Sequence, residues 1–165
     1  VGECKKKFLK DYEDDLEINE KVMIAIVKVS ESFKKDSDAI FKNYGLTFSQ
    51  YNALRVLNNS KNGQNSVTNT SKIMIVSGPN LTGIAKRLEK NGFILRKRDP
   101  NDERITLLEI TPKGKQVLKN ISAAKDENIS NYMANYPEKE KEKMLSALKH
   151  IFKTRTLNQE CASKI

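Results

Sequence analysis

Tryptophan is absent, histidine occurs once, at His150, and cysteine twice, at Cys4 and Cys161. Each scarcity removes a class of chemistry. One imidazole and no clustered thiolates leave a zinc or other transition-metal site without ligands, so no metal is expected. Two cysteines at opposite ends of a 165-residue chain make no disulfide framework, which suits a reducing compartment. The longest apolar run is VMIAIV at 22–27, far too short to span a bilayer. The first residues hold no signal-type apolar stretch either, so no membrane partner and a cytoplasmic location are expected. No nucleophile–histidine–acid set and no phosphate-binding glycine loop can be assembled. Acid pairs such as Asp14–Asp15 read as solvated helix surface, so neither an enzyme nor a cofactor-dependent protein is expected.

What the chain has in quantity is positive charge, a formal net of +9. It is unevenly spread: residues 60–119 carry twelve Lys/Arg against five Asp/Glu, whereas residues 11–20 carry six acids and no base. A basic middle beside an acidic flank points to a polyanion partner for the middle alone, although a generic lysine-rich solvated surface has the same composition. A hydrophobic fraction of 38% and a charged fraction of 31% suit a small helical protein with much exposed surface. The apolar residues recur periodically, so the chain reads as folded.

Ile18, Val22, Ala25, Val29, Phe33, Ile40, Phe41 and Tyr44 fall near a 3.6-residue period, which predicts one long amphipathic helix ending at Gly45. In LTFSQY, Thr47 and Gln50 have capping-box spacing, and Leu46 and Tyr51 sit at the hydrophobic-staple positions. A second helix through Leu54 and Leu57 follows, breaking in NNSKNGQNS. A short helix is expected after Thr68. Ser77 then caps another helix with Pro79 in its first turn, and Gly92 stands where a left-handed terminator is wanted. FILRKR and ITLLEI read as two strands of a hairpin, joined by a loop in which Asp99-Pro100-Asn101-Asp102 fits a type I turn. Thr111-Pro112 opens a helix with Val117, Leu118, Ile121 and Ile129 on its apolar side. Tyr136-Pro137 separates it from a last helix through Leu145, Leu148 and Phe152. The expected fold class is mainly α with a small β-hairpin wing.

A short helix, a tight turn, a helix with a polar outer face and a basic hairpin have the layout of a winged helix-turn-helix. Leu81, Ile84, Ala85 and Leu88 line the inner face of the second helix. Pro79, Thr82, Gly83, Lys86 and Lys90 line the outer one, with Asn80 and Arg87 on its margins. Thr82 and Asn80 offer hydrogen bonds to base edges, Gly83 close approach, and Lys86 and Lys90 charge for phosphates. The first-turn amides of Gly78 and Asn80 form an anion site. An ordinary solvated helix presents the same residue types. The hairpin favours nucleic acid: Arg104, fed by Arg96, Lys97 and Arg98, can follow a backbone or enter a narrow minor groove. Asp99 can hold the turn through its own backbone, and Asp102, two residues from Arg104, can orient the guanidinium.

VSGPNLTGIAKRLEKNGFILRKRDPNDERITLLEITPKGKQVL resembles the MarR (multiple antibiotic resistance regulator) family of bacterial transcription factors. The resemblance is specific over residues 46–118 and is carried also by LTFSQYNALRVL, with RLEKNGFI, DPNDER and ITLLEITPKG as its motifs. It implies a homodimer on double-stranded DNA, recognition helices in successive major grooves and wings in flanking minor grooves. It implies groove contacts at Ser77, Pro79, Asn80, Thr82 and Lys86, wing function for Arg104, and acidic support from Asp102. A winged helix-turn-helix lobe at 46–112 and a dimerisation lobe from 1–45 and 113–165 follow. Two departures stand out. Ile75 occupies the helix-turn-helix corner where many members carry glycine. No cysteine lies between Glu13 and Gly45, where the peroxide-sensing branch keeps its reactive thiol, so the expectation is either release by a small, often aromatic or phenolic, effector or a regulator with no ligand.

Apolar stripes at both ends of a chain whose DNA-reading parts lie between them leave surplus apolar surface, which a second copy can bury with two-fold symmetry. The expected function is a sequence-specific transcriptional regulator, of repressor type, on a palindromic operator. The competing class is a nonspecific nucleoid protein, which would bind a palindrome and random duplex alike.

Overall fold

The computed structural model describes residues 16–162, with side chains to residue 154. Cys4, Asp14, Asp15 and the side chain of Cys161 lie outside the described residues. The described chain forms two units, the first ending at Lys125 and the second beginning at Asp126.

The first unit opens with α1 (Ile18–Lys42), of which only Ser37 and Phe41 are buried. Phe41 stacks on Tyr51 with ring centroids 4.3 Å apart, which anchors the end of α1 to α2 (Phe48–Asn58). The start of α2 has the expected capping box: Thr47 Oγ1 accepts from the Gln50 N–H at 3.3 Å, and Gln50 Oε1 accepts from the Thr47 N–H at 2.9 Å. Asp38 of α1 accepts a further hydrogen bond from the Phe48 N–H, so a third first-turn donor is satisfied. Leu46 and Tyr51, at the staple positions, are both buried.

After α2 come a 3-10 turn (Lys61–Gly63), β1 (Gln64–Ser66), α3 (Val67–Met74) and α4 (Gly78–Lys90). One expectation needs correction here. The short helix starts before Thr68, because Ser66 caps it, accepting from the Asn69 N–H at 3.1 Å. The expected hairpin forms, and a further strand joins it. β2 (Ile94–Arg98) and β3 (Thr106–Ile110) pair antiparallel, and β1 adds to the far edge of β3, giving a three-stranded sheet in the order β1-β3-β2. Gln64–Ser66 is polar and has no alternation of its own. Its strand conformation comes from β3, with Asn65 opposite Leu108.

α1, α3 and α4 end with the same pair of backbone bonds. Gly45 and Leu46 donate to Lys42 and Phe41, Ile75 and Val76 to Lys72 and Ser71, and Gly92 and Phe93 to Glu89 and Leu88. This terminator places one residue at the helix end in the left-handed region, and φ is 71° at Gly45, 73° at Gly92 and 55° at Ile75. The structure therefore accepts isoleucine in the helix-turn-helix corner without changing the turn.

The core lies between α2, α4 and the sheet, around Leu54, Leu57, Leu81, Leu88, Ile94 and Leu108, each at most 1% exposed. α5 (Pro112–Met133) joins it through Val117 and Ile121. Thr111 caps α5 by accepting from the Gly114 N–H at 3.1 Å while donating to the Gly92 and Phe93 carbonyls. This ties the start of α5 to the corner between α4 and β2.

The second unit holds the end of α5 and α6 (Glu138–Ala162). In α6, Met144, Leu145, Leu148, Ile151 and Phe152 recur on one helical stripe, and all are exposed.

Candidate nucleic-acid interface

α4 divides its side chains as the sequence predicts. Leu81, Ile84, Ala85 and Leu88 are buried, while Pro79, Asn80, Lys86, Arg87 and Lys90 are exposed and Thr82 and Gly83 half-buried. A Cβ on Gly83 would meet nothing within 4 Å, so this face is open. Ser77 caps the helix, its Oγ accepting from the Asn80 N–H at 3.4 Å, and Pro79 sits in the first turn. The Thr82 hydroxyl donates to the Gly78 carbonyl at 3.0 Å. Its proton is thereby committed, leaving the oxygen as an acceptor and the methyl outward.

The wing loop, residues 99–105, is held from inside. Asp99 Oδ1 accepts from the Asn101 N–H at 2.8 Å, and the Asp99 N–H donates to the Ile105 carbonyl at 2.9 Å. Asp102 meets Arg104 in a different way from that expected: its Oδ1 accepts from the Arg104 backbone N–H at 3.0 Å. It therefore sets the backbone that carries the guanidinium, not the guanidinium itself. Among the described residues no ion pair involves Arg104.

The other wing cations are engaged. Arg96 Nε lies 3.0 Å from Glu89 Oε2, Lys97 Nζ is bonded to Glu109, and Arg98 Nη1 is 3.8 Å from Glu103. These acidic partners escaped sequence reasoning, since Glu89 meets Arg96 only across the α4–β2 corner and Glu109 meets Lys97 only through strand pairing. Among the described residues no cluster of His, Cys, Asp and Glu is placed to hold a metal, and no helix is long and apolar enough to cross a membrane.

The model of the family described as transcriptional regulator SarA/Rot matches residues 35–121, which spans α2, the helix-turn-helix and the whole sheet. Among curated proteins, the HTH-type transcriptional regulator BilQ of Clostridioides difficile is 31% identical over 135 residues, 80% of this chain and 90% of BilQ. The HTH-type transcriptional repressor YetL of Bacillus subtilis is 25% identical over 131 residues, 79% and 78% of the two chains. Among solved structures, the S. aureus MepR–DNA complex superposes with a TM-score of 0.74 at 20% identity, covering 80% of this chain and 96% of MepR. CouR of Rhodococcus jostii, bound to p-coumaroyl-CoA, gives 0.71 at 21% identity, covering 79% and 90%. At these identities the two structures establish a shared fold.

Proposed function

This chain belongs to the SarA/Rot transcriptional regulators, which are of the MarR type, and from that premise we propose that it represses transcription by binding a palindromic operator as a homodimer. The observation that carries the reading is the division of α4, whose inner residues are used up by the core while Asn80 and Lys86 are exposed, Thr82 and Gly83 half-buried, and the space above Gly83 open. Asn80 can pair both polar atoms with an adenine edge. Thr82, its proton committed to Gly78, serves as an acceptor for a cytosine or adenine amino group, or lays its methyl on a thymine. Ser77 and Pro79 bring the helix start to a phosphate, Lys86 neutralises another, and Arg104 enters the minor groove with Arg98 behind it.

The winged helix-turn-helix at 46–112 reads DNA in this proposal, and the terminal helices form the dimerisation lobe. Ile18, Met23, Val27 and Val29 on α1 and Leu145, Leu148 and Phe152 on α6 expose apolar surface that a second copy would bury. The chain acts by binding, without turnover, in the cytoplasm. A small aromatic or phenolic effector releases it by binding the DNA-competent and incompetent arrangements with different affinity, as p-coumaroyl-CoA suggests through CouR. We place its pocket, in this proposal, between α1, α2 and the start of α5.

Selection of duplexes from a random pool tests the reading. An inverted repeat bound at least about 1,000-fold more tightly than random duplex is expected. Equal affinity for both would replace the regulator with a nonspecific nucleic-acid-binding protein.

A further inference from the structure

Three consecutive cations of β2 are met by acids from three different elements: Arg96 by Glu89 of α4, Lys97 by Glu109 of β3, and Arg98 by Glu103 of the wing loop. The first of these crosses from the reading helix to the wing. We infer that Arg96 is a positioning residue: its ion pair with Glu89 fixes the angle between α4 and the hairpin, and so the place of Arg104, without touching phosphate. This rests on the reading of α4 and the wing as one DNA-binding surface.

The corner between α4 and β2 is pinned at its base. Thr111 donates to the Gly92 and Phe93 carbonyls, and Lys113 Nζ donates to the Asn91 carbonyl at 2.9 Å while lying 5.1 Å from the centre of the Phe93 ring. These bonds hold the base of the hairpin, and pairing with β1 holds β3 as far as Leu107, whereas β2 is the outer strand on the other side. The strand from Ile94 to Arg98 is a lever of roughly 16 Å at about 3.3 Å per residue. A tilt of about 10° would carry its end through about 3 Å, against a tolerance of about 0.5 Å for a working site. Among the described residues the Glu89–Arg96 bond is the ion pair that joins α4 directly to β2 along this lever.

Charge supports the same assignment. A guanidinium with a carboxylate 3.0 Å from its Nε has its charge already compensated. The two side chains are 32% and 39% exposed, and ion pairs that open contribute little to folding. What the pair supplies is geometry, for which the planar guanidinium fork suits better than a lysine.

The test uses the full chain and a duplex enriched from a random pool by the wild type, with random duplex as reference. E89Q is expected to weaken binding to the enriched duplex roughly three- to tenfold, the size of an ordinary coupled pair, although it removes a negative charge near DNA. R96Q should do the same with an unchanged salt slope, and E89Q/R96Q should be no worse than either alone. The reversed pair E89R/R96E should restore most of the affinity. In an R104A background E89Q should have no further effect, because the pair acts through Arg104. Tighter binding by E89Q, with a salt slope for R96Q smaller by about 0.9, would make Arg96 a phosphate contact and overturn the inference. So would wild-type affinity in both single variants, or an undiminished E89Q effect in the R104A background. A wild-type chain that enriches no sequence fails the DNA reading itself, a separate outcome.

Discussion

Ile75 is a β-branched residue at φ 55°, ψ 45°, and the residue is 62% exposed, so packing offsets little of its strain. The left-handed conformation costs a non-glycine residue about 1–2 kcal/mol. Glycine there would instead lose about 0.5–1 kcal/mol through its greater freedom in the unfolded chain. Ile75→Gly is therefore expected to stabilise the protein by roughly 0.5–1 kcal/mol, read from the denaturation midpoint at unchanged m-value. A destabilised variant would mean that Ile75 makes apolar contacts worth more than its strain. Gly114 is the opposite case. A Cβ there would stand 2.3 Å from the Phe93 carbonyl oxygen and 2.7 Å from Ile110 Cγ1. Since a backbone carbonyl cannot swing aside, Gly114→Ala should cost about 2–3 kcal/mol in the same measurement. Neither effect is legible at its own position. The sequence shows a departure at Ile75 and a glycine in a TPKG motif. The strain needs φ, and the close approach needs the α4–β2 corner folded against α5.

At the scale of elements, legibility follows the range of the interactions. The capping box at Thr47 and Gln50 and the Ser77 cap are contacts across three residues, so spacing alone reveals them. β1 has no local signal, because Gln64–Ser66 becomes a strand only by pairing with β3. The outer face of α4 was legible by helical period, and it can be tested with one methyl group. Gly83→Ala adds a Cβ into open space, so the free protein should gain about 0.5–1 kcal/mol. If that space is where the groove comes closest, operator affinity should fall by about tenfold while stability rises. Unchanged affinity would mean that another face reads the DNA. In the wing, the two aspartates of DPNDER bond to the backbone. Removing Asp102 takes a negative charge away from a polyanion, which by simple electrostatics tightens binding. It also frees the backbone at Arg104, which loosens it. Asp102→Ala is expected to weaken operator binding several-fold throughout a salt titration, since a loop that must be ordered on binding loses affinity. Tighter binding at every salt concentration would show that charge outweighs order.

At the scale of the molecule, periodicity alone could not tell a stripe bound for the core from one bound for a second copy. Exposure separates them. Phe41 at the end of α1 is 1% exposed, while Ile18 and Val27 nearer its start are 69% and 57% exposed, and the stripe on α6 is exposed throughout its described side chains. Two copies joined by such surfaces would present two α4 helices related by a two-fold axis. On B-DNA those helices must enter major grooves about 34 Å apart, one turn along the same side. That makes the spacing of operator half-sites a test of the dimer that needs no structure of the complex. Inserting about 5 bp between half-sites turns the second to the opposite side of the duplex, beyond reach of the second wing and helix. Affinity should fall to that of a single half-site. The salt slope should fall with it, since each lost phosphate contact from Lys86, Lys90 and their neighbours removes about 0.9. Inserting about 10 bp restores the side but lengthens the span by another turn, so partial recovery would measure how far the dimer can open. An operator that tolerates the 5 bp insertion with affinity and slope intact would show that one copy does the binding, and the exposed stripes would then need a different occupant.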